Sequence, residues 1–528
     1  MSSLAALATA EGVTVAPATR LPSRRRPLIR WVAVAVAVWA LAGTGIGQRQ
    51  VLNAGGLETI ADFTRAAFTP DVSSEFLRRT VSAAAVTVGY ATLGTLLSIT
   101  IGLIGGVLLA RTTWTSRLTT ERTPVGVSIA RAIATAPRAI HEGIWALLLI
   151  NVLGRNPMVG VLAIGIPYGA ITAKVYADLI DAPGGAAHRS LRAGGAGRVS
   201  SLFYAVLPRV GADMTSYAFY RFECAVRAAV ILGMLGAGGL GFQLSQSFQG
   251  LAYREMWTSI YALIALGALA EGWSTIARSG RRARSTALIG SALVAVSWWK
   301  VAPDLSTIWG PRTRREASRL AHELWPPRLP TRGWSQLIDA AVATVRMSVV
   351  AIAIAAAIAV PLAYFGVRSI RGNKATRVVA LVLRSIPSPV WAFLVLLVVL
   401  PGLLPGAVAL GIYTGGVLAR LLTETLDNAD TAPARRLRQA GARPLAAFVH
   451  STLPDVSPTW TAYGLYRWEV TAREVSIVGV VGAGGLGALL QQQTAAFAYQ
   501  RLLTTLLAMM AVTLLVDAVS SSVRRRLR

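Results

Sequence analysis

Residues 220–241 read YRFECAVRAAVILGMLGAGGLG and residues 466–487 read YRWEVTAREVSIVGVVGAGGLG, with 12 of the 22 positions identical. The shared residues are mainly charged residues and glycines inside an otherwise apolar stretch. Any apolar residue can face lipid, whereas an ionisable one there is costly, so lipid contact alone does not account for the shared charges. The repeat therefore indicates a membrane protein built by internal duplication.

The register of the repeat extends beyond this block. The same offset of 246 residues aligns Arg138 with Arg384, Trp145 with Trp391, and Leu207-Pro208 with Leu453-Pro454. Near the start of each half the offset is 257, which aligns Arg111 with Arg368. Eleven residues were gained or lost between these points, and we expect a loop there.

The composition excludes an ordinary soluble domain. Hydrophobic residues make up 54% of the 528 residues, charged residues make up 14%, and the mean hydropathy is +0.54. Apolar runs of about the ~20 residues that cross a bilayer predict twelve spans. They lie near 28–47, 82–110, 125–152, 158–180, 211–235, 257–277, 285–302, 337–367, 376–400, 406–426, 457–481 and 501–520.

The distribution of basic residues predicts the orientation of these spans. With the N-terminus inside, the inside stretches hold 28 Lys and Arg residues and the outside stretches hold 12. This bias favours two cytosolic termini. The outside loop 303–336 runs against the bias, but it is long and also carries acidic residues.

The net charge of +28 raises the alternative of a nucleic-acid partner. Most basic residues fall in short loops, however, where topology and anionic lipid headgroups explain them, and no aromatic residues interleave a basic stripe. We therefore expect a lipid bilayer and no nucleic acid as the partner. The basic run at 24–26 before an apolar segment could belong to a signal peptide, but the same arrangement recurs internally at 281–284, which favours a retained anchor helix.

Metal and disulfide chemistry find no support in the sequence. The single cysteine, Cys224, excludes an internal disulfide and a cysteine-based metal site. The four histidines show no spacing typical of metal ligands. Trp145 and Trp391 are most simply core or interfacial aromatic residues.

The GAGGLG run matches the G-x-G-x-x-G dinucleotide fingerprint in both halves, but the acidic residue expected some ~20 positions later is absent from a suitable place. A turn at the end of a membrane segment is the better interpretation, because glycines permit left-handed backbone and close helix approach. We predict that these glycines line a gate of a translocation pathway: Gly236, Gly238, Gly239, Gly241, Gly482, Gly484, Gly485 and Gly487. The chain lacks a G-x-x-x-x-G-K-[ST] phosphate loop, so any ATP must be bound by another chain.

A second paired signal precedes each charged segment, at residues 188–208 and 434–454. Each stretch has a basic segment with helical promise, a glycine (Gly195 or Gly441) and a Leu-Pro pair the same distance later. This pattern predicts a short helix, a break at the glycine, another short helix, and a proline that starts the next membrane segment.

These stretches resemble the coupling loop of ABC importer permeases, whose pattern is E-A-A, three residues, G, nine residues, I-x-L-P. Gly195 and Gly441 stand at the glycine position. The isoleucine is replaced by Ala205 and Ser451, and the glutamate position holds an arginine, so the acidic contact of the family is not carried over. The coupling-loop residues that the resemblance implies are Arg189, Gly195, Leu207, Pro208, Arg435, Gly441, Leu453 and Pro454.

Together with R-x-I-P/H-x-x-x-W-A and Y-R-[FW]-E, these motifs resemble the PhnE-type permease subunit of phosphonate importers, over nearly all of both halves from about residue 82. Half one departs from R-S-I-P at His141 but keeps Glu142, whereas half two has Pro387 and Ser388. The family usually pairs two chains of one unit each. Here two units are fused, 1–283 and 284–528, each with an anchor helix and a five-helix core.

The resemblance implies an all-α integral membrane protein with the type I, MetI-like permease fold, about twelve helices forming two parallel six-helix repeats. It implies a multi-pass protein of the bacterial inner membrane that carries phosphonate, phosphite or phosphate and is not itself an enzyme. Two cytosolic ABC ATPase subunits would bind ATP-Mg, no cofactor would bind this chain, and an extracytoplasmic binding protein would deliver substrate.

Paired charges mark the candidate pathway. Glu223 and Arg227 are four residues apart, as are Glu469 and Arg473, so each pair could form a helical salt bridge or take part in transport. Arg221 and Arg467 have no acidic residue at i+4 and are therefore better candidates for meeting an anion. Glu474 aligns with Ala228, which predicts a chemically asymmetric pathway.

Two other classes of function remain as alternatives. A twelve-helix secondary carrier of a small anion would share the helix count, but the loop 111–124 lacks the G-x-x-x-D-R-x-G-R-R pattern of many such carriers. A membrane enzyme would need a convergent nucleophile, base or metal cluster, and the sequence shows none.

Overall fold

The computed structural model describes residues 35–44, 53, 55–114, 125–182, 186–278, 283–367 and 374–527. All elements of these residues are helices. Contacts between residues in space divide the chain into two compact units. Unit 1 is Ala66–His322, and unit 2 joins Glu323–Arg528 to the described residues that precede Ala66.

Unit 1 contains seven main helices. They are α1 (Ser74–Leu109), α2 (Glu142–Leu153), α3 (Met158–Asp181), α4 (Leu207–Leu232), α5 (Gly239–Gln249), α6 (Tyr253–Arg278) and α7 (Ala283–Val301). Shorter helices connect them at Arg111–Trp114, Val125–Ile133, Thr135–Ala139, Ala186–Ala193, Arg198–Ser201 and Ser306–Trp309, with π turns at Leu202–Val206 and Gly233–Ala237.

Unit 2 repeats the first six helices in the same order. They are α8 (Gly333–Gly366), α9 (Ser388–Leu396), α10 (Leu403–Asp427), α11 (Leu453–Val478), α12 (Gly485–Ala495) and α13 (Tyr499–Leu527). Its short helices are Lys374–Ser385, Ala432–Gln439 and Pro444–Ala447, with π turns at Phe448–Thr452 and Gly479–Ala483, and residues 35–42 are also helical. The helices Gly56–Phe68 and Pro311–Leu324 each contain a boundary between the units.

Six of these helices, α1, α3, α6, α8, α10 and α13, are long and apolar enough to cross a membrane. Four bent pairs raise the number to ten if each pair counts as one span. The two remaining predicted spans are the leading ones. The segment near 28–47 is described only at 35–44, and α7, at 285–302, is a helix outside these ten.

The predicted spans 125–152 and 376–400 are not straight, which corrects the sequence interpretation. The chain bends by 85° before Glu142 in unit 1 and by 89° before Ser388 in unit 2. In unit 2 Pro387 has no N–H to continue the first helix and serves as the N-cap of α9. In unit 1 His141 takes the same place, and its Nδ1 accepts from the Gly143 amide at 3.1 Å.

Glycines let one pair of helices in each unit, α1–α3 and α8–α10, pack closely. A Cβ atom on Gly165 of α3 would lie 2.4 Å from the Leu97 side chain of α1, and one on Gly411 of α10 would lie 2.6 Å from Ile354 of α8. Gly165 and Gly411 are equivalent positions of the repeat. Because a hydrogen at these sites allows close backbone approach, α1–α3 and α8–α10 form the centre of the two units.

The boundaries of the compact units differ from the predicted division of the chain into 1–283 and 284–528. The predicted anchor of the second half, α7, packs against α1, where Val301 fills the space beside Gly89. The guanidinium of Arg346 on α8 lies 4.7 Å from the Trp39 ring of the first leading helix. Since Gly89 and Arg346 are equivalent positions at the offset of 257, the same site on α1 and α8 receives a leading helix in each unit.

The length difference between the repeats falls in a connection, as the sequence predicts. Leu109 and Gly366, which end α1 and α8, align at an offset of 257. Arg131 and Arg377, which lie in the next helix that both units share, align at 246. Unit 1 therefore has eleven more residues than unit 2 in the connection between these two helices.

Candidate functional site

The GAGGLG runs form sharp turns at the ends of α4 and α11, as the sequence predicts. Gly236 and Gly482 have φ of +105° and +114°, a region that other residues rarely adopt. The chain then bends by 56° into α5 and by 60° into α12. A Cβ on Gly241 would lie 1.8 Å from the Val230 carbonyl oxygen, so the turn packs directly against the helix it follows.

A threonine that the sequence analysis missed holds each turn in place. The Thr87 hydroxyl of α1 accepts from the Leu240 amide at 2.9 Å, and the Thr344 hydroxyl of α8 accepts from the Leu486 amide at 3.0 Å. These amides open α5 and α12, where helix N–H groups have no partner within their own helix. The repeated Thr-Val dipeptide at the offset of 257 was a usable signal for both residues.

Arg221, on α4, lies among tyrosine side chains. Its Nε donates to the Tyr217 hydroxyl at 2.8 Å, and its guanidinium carbon is 5.2 Å from the Tyr168 ring centroid and 5.6 Å from that of Tyr220. Only 7% of Arg221 is exposed. The Tyr168 hydroxyl donates in turn to Glu142 at 3.2 Å, so the R-x-I-H motif and the charged segment meet in one polar cluster.

Arg467, the equivalent of Arg221, has an acidic neighbour that spacing at i+4 does not show. Its Nη2 lies 3.7 Å from Glu474 Oε1 and donates to the Thr414 hydroxyl at 3.5 Å. The idea that Arg467 lacks a local acidic partner is therefore wrong, because two helical turns, i to i+7, also bring side chains to one face. Arg467 also has the Tyr413 ring at 5.9 Å, so a carboxylate and a tyrosine surround it, and the asymmetry of the pathway stays a prediction.

The two glutamates of the repeat have different partners. Glu223 forms the predicted pair with Arg227 at 3.4 Å, and Arg227 also donates to the Cys224 sulfur at 3.4 Å. Glu469 is bonded to Arg524, near the end of α13. Because Arg524 is 55 residues from Glu469 in sequence, no short spacing indicates this pair, and only the fold reveals it.

The tryptophans of the repeated motif stabilise the two bends. Trp145 Nε1 donates to the Pro137 carbonyl at 3.1 Å, and Trp391 Nε1 donates to the Leu383 carbonyl at 3.1 Å. In each case the indole reaches back across the bend to the preceding helix. The two residues are thus structural, with a polar contact that the sequence interpretation of a core or interfacial aromatic residue did not include.

The predicted coupling loops have the expected break at glycine. Gly195 and Gly441 have φ of +88° and +89°, and they follow the short helices Ala186–Ala193 and Ala432–Gln439. The Ala196 amide donates to the Leu191 carbonyl and the Ala442 amide donates to the Leu437 carbonyl, each at 3.0 Å. Each bond satisfies a carbonyl near the end of the short helix. Arg435 is exposed, and the side chain of Arg189 lies outside the described residues.

The Leu-Pro pairs begin α4 and α11, as the sequence predicts, but the short helix before each pair runs into it without a break. Arg198–Ser201 continues through the π turn Leu202–Val206 into α4, and Pro208 lies in the first turn after the π turn. Leu453-Pro454 follows the same course in unit 2. Proline lacks the N–H of an ordinary α-turn, and the wider π turn keeps the helix continuous.

Each coupling loop presents exposed apolar side chains at matching positions. We call these the loop patches: Leu191, Val199 and Phe203 in unit 1, and Leu437, Leu445 and Val449 in unit 2. Tyr204 beside the first patch is 81% exposed. Exposed apolar groups next to basic helices are typical of a protein interface.

Comparisons with known proteins agree with this architecture. Residues 350–528 match the family described as "Binding-protein-dependent transport system inner membrane component". A phosphate-import permease protein PhnE of Mycolicibacterium smegmatis is 27% identical over 76% of this chain and 79% of its own length. A phosphite transport system permease protein PtxC of Stutzerimonas stutzeri is 29% identical over 47% of this chain and 90% of its own length.

A putative cryptic phosphonate transport system permease protein PhnE2 of Escherichia coli is 34% identical over 22% of this chain and 96% of its own length. A solved chain of the MetNI methionine ABC transporter is 18% identical, with a TM-score of 0.34, over 38% of this chain and 100% of its own length. The motifs, the two helical repeats and these relatives lead to one conclusion. The chain belongs to the PhnE-type permeases, which are inner membrane components of binding-protein-dependent transport systems.

Proposed function

We propose that this chain is the complete membrane channel of an ATP-driven importer of phosphonate or a related phosphorus oxyanion. Relatives named for phosphate, phosphite and phosphonate transport support this substrate class. Both repeats carry a predicted coupling loop with a glycine break, a GAGGLG turn and a buried arginine, which supports the proposal. One fused polypeptide therefore supplies what the family builds from two chains.

The observation that carries the coupling proposal is the pair of loop patches. Two apolar surfaces at matching positions suit two copies of one partner. We propose that these partners are cytosolic ABC ATPase subunits, which bind ATP-Mg, and that this chain binds no cofactor of its own. An extracytoplasmic binding protein would deliver substrate to the opposite side, with both termini of the permease in the cytosol.

The test is to ask whether the genes beside that of this chain encode an ATPase and a binding protein, and to express the chain together with them. We expect the ATPase to copurify, and Leu437→Asp together with Leu445→Asp to weaken copurification, because the patch of unit 2 would become charged while that of unit 1 remains. Uptake of methylphosphonate, phosphite or phosphate should stop on ATP depletion and continue with an uncoupler. Uptake that an uncoupler abolishes and ATP depletion spares would instead establish the secondary carrier.

Within the pathway, we propose that Arg221 and Arg467 meet the oxyanion, because a planar guanidinium suits an oxyanion bidentately. The different surroundings of the two arginines support unequal roles. Arg221 has three tyrosine rings close to its guanidinium. Arg467, in contrast, lies near the Tyr413 ring and beside the Glu474 carboxylate, which an incoming anion would have to displace. We expect Arg221→Gln or Arg467→Gln to preserve ATPase assembly and strongly reduce uptake, with Lys restoring only part of it.

The alternative is a permissive channel in which the binding protein alone selects the substrate. Growth on a phosphonate as the sole phosphorus source separates the two possibilities. Full uptake and normal growth in the double Gln variant would show that these arginines do not handle substrate. The eight glycines of the two turns remain gate candidates under either outcome, because their geometry sets where α4 and α11 end.

A further inference from the structure

An arginine outside every sequence motif ties two helix ends together in unit 1. Arg131, on the short helix Val125–Ile133, donates from Nε to the Leu109 carbonyl at 2.8 Å and from Nη2 to the Asp181 carboxylate at 2.9 Å. Leu109 is the last residue of α1, and Asp181 is the last residue of α3. We call this arrangement the helix-end clamp.

Unit 2 contains the same clamp. Arg377, on Lys374–Ser385, donates from Nε to the Gly366 carbonyl at 3.0 Å and from Nη2 to Asp427 at 2.8 Å. Gly366 ends α8, and Asp427 ends α10. Two units with different sequences thus place an arginine, a helix-end carbonyl and an aspartate in the same geometry.

The chemistry of the clamp depends on the guanidinium group. The last carbonyls of a helix have no partner within that helix, and a charged donor satisfies one of them well. Arginine presents Nε and Nη2 in a rigid fork, so one group can hold a carbonyl and a carboxylate together. A lysine carries a single ammonium centre and cannot reproduce both directions.

The clamp in unit 1 also reaches the coupling loop. Asp181 accepts from the Arg111 amide at 3.1 Å, the Thr112 amide at 2.9 Å and the Thr112 hydroxyl at 2.8 Å. The segment that contains both residues, Arg111–Trp114, contacts Arg198–Ser201 of the coupling loop. A continuous set of contacts therefore joins the loop to the ends of α1 and α3.

We propose that Arg131 is a positioning residue that transmits movement of the coupling loop in unit 1 to the paired helices α1 and α3, and that Arg377 holds the ends of α8 and α10 in the same way in unit 2. This role rests on the proposed function, in which ATPase subunits act on the coupling loops. The close packing at Gly165 and Gly411 holds each helix pair together along its length. The clamp acts only at the ends, where its side chains are partly exposed and a displacement of the loop arrives first.

The test uses the full chain reconstituted with its ATPase and binding protein in vesicles, with methylphosphonate as the transported probe. The variants are Arg131→Gln, Arg377→Gln and the corresponding Lys substitutions. We expect ATP hydrolysed per methylphosphonate imported to rise about tenfold in the Gln variants, within the usual range of coupling between sites. The Lys variants should remain close to the Gln variants, because charge alone does not replace the fork.

Arg79→Gln is the matched control, because Arg79 pairs with Glu75 on one face of α1 and both side chains are largely exposed. This variant should couple as the wild type does. If Arg377→Gln does not accumulate, Asp427→Asn removes the charge and keeps an acceptor oxygen in place. A second measurement, the rate of reaction with a thiol reagent, does not depend on transport. In a Cys224→Ala background that also carries Ala196→Cys, the introduced cysteine should react faster in the Arg131→Gln variant than in the chain that keeps Arg131.

The outcomes separate the two proposals. A wild-type complex without ATP-dependent uptake contradicts the proposed function. The clamp proposal is contradicted if the wild type couples ATP hydrolysis to uptake and the Gln variants hydrolyse the same amount of ATP per methylphosphonate imported. Full recovery by Lys, or a uniform loss of yield and of every activity, would show that the arginines contribute only charge or stability.

Discussion

Replacement of Gly487 by alanine should destabilise unit 2 severely. The Cβ atom would lie 2.0 Å from the Ser476 carbonyl oxygen of α11 and 2.8 Å from the Cα of Gly479. Both neighbours are backbone atoms, so no side chain can rotate away. Either α12 must move away from α11 or the turn between them must open, and each movement disturbs the hydrogen bond from the Leu486 amide to Thr344.

The cost can be worked from these contacts. Overpacking in a well-packed interior costs about 1–3 kcal/mol, and a donor left without its partner adds about 1–3 kcal/mol. The sum is on the order of 2–6 kcal/mol, and the upper part of that range belongs to the severe single substitutions. At roughly 2–4 °C per kcal/mol for a unit of this size, we expect the melting temperature to fall by roughly 4–24 °C.

The assay is thermal unfolding of the detergent-purified protein, followed by intrinsic fluorescence, with membrane yield as a second measure. Gly464→Ala in α11 is the control, because its Cβ would meet nothing within 4 Å and the residue is helical. It should be neutral or stabilise by about 0.5–1 kcal/mol. Equal stability of Gly487→Ala and the wild type would refute the reasoning, because the turn would then have room that the structure does not show.

Three further predictions concern other parts of the molecule. Cysteines placed at Ala196 and Ala442 should react with an impermeant thiol reagent only after the membrane is opened, and labelling in intact cells would contradict the topology. Arg524→Gln should leave the Glu469 carboxylate without this partner, which should lower stability by about 3 kcal/mol and reduce the membrane yield. Adding Glu469→Gln should recover most of the loss. Thr344→Val should reduce stability by about 1–2 kcal/mol with little change in side-chain size, whereas unchanged unfolding would mean that the hydroxyl does not anchor the turn.

Several parts of the site were predictable from local sequence. The glycine turns, the break at Gly195 and Gly441, and the Glu223–Arg227 pair all follow from short spacings, since each depends on backbone freedom or on one turn of helix. The bends before Glu142 and Ser388 were missed because hydropathy alone does not show a bend, although Pro387 was a usable signal in unit 2. The clamp arginines were missed because their partners lie 50 residues away in sequence.

The sequence by itself determined the membrane class, the duplication and the identity of the paired motifs, because hydropathy and internal repetition need no tertiary contact. It also placed the length difference in a loop. Only the tertiary structure decided which partner each buried charge meets. Glu469 is bonded to Arg524, Arg467 lies beside Glu474, and Arg221 lies among tyrosines. Equivalent sequence positions acquire these different partners because each charge in an apolar interior takes the polar group that helix packing brings within reach.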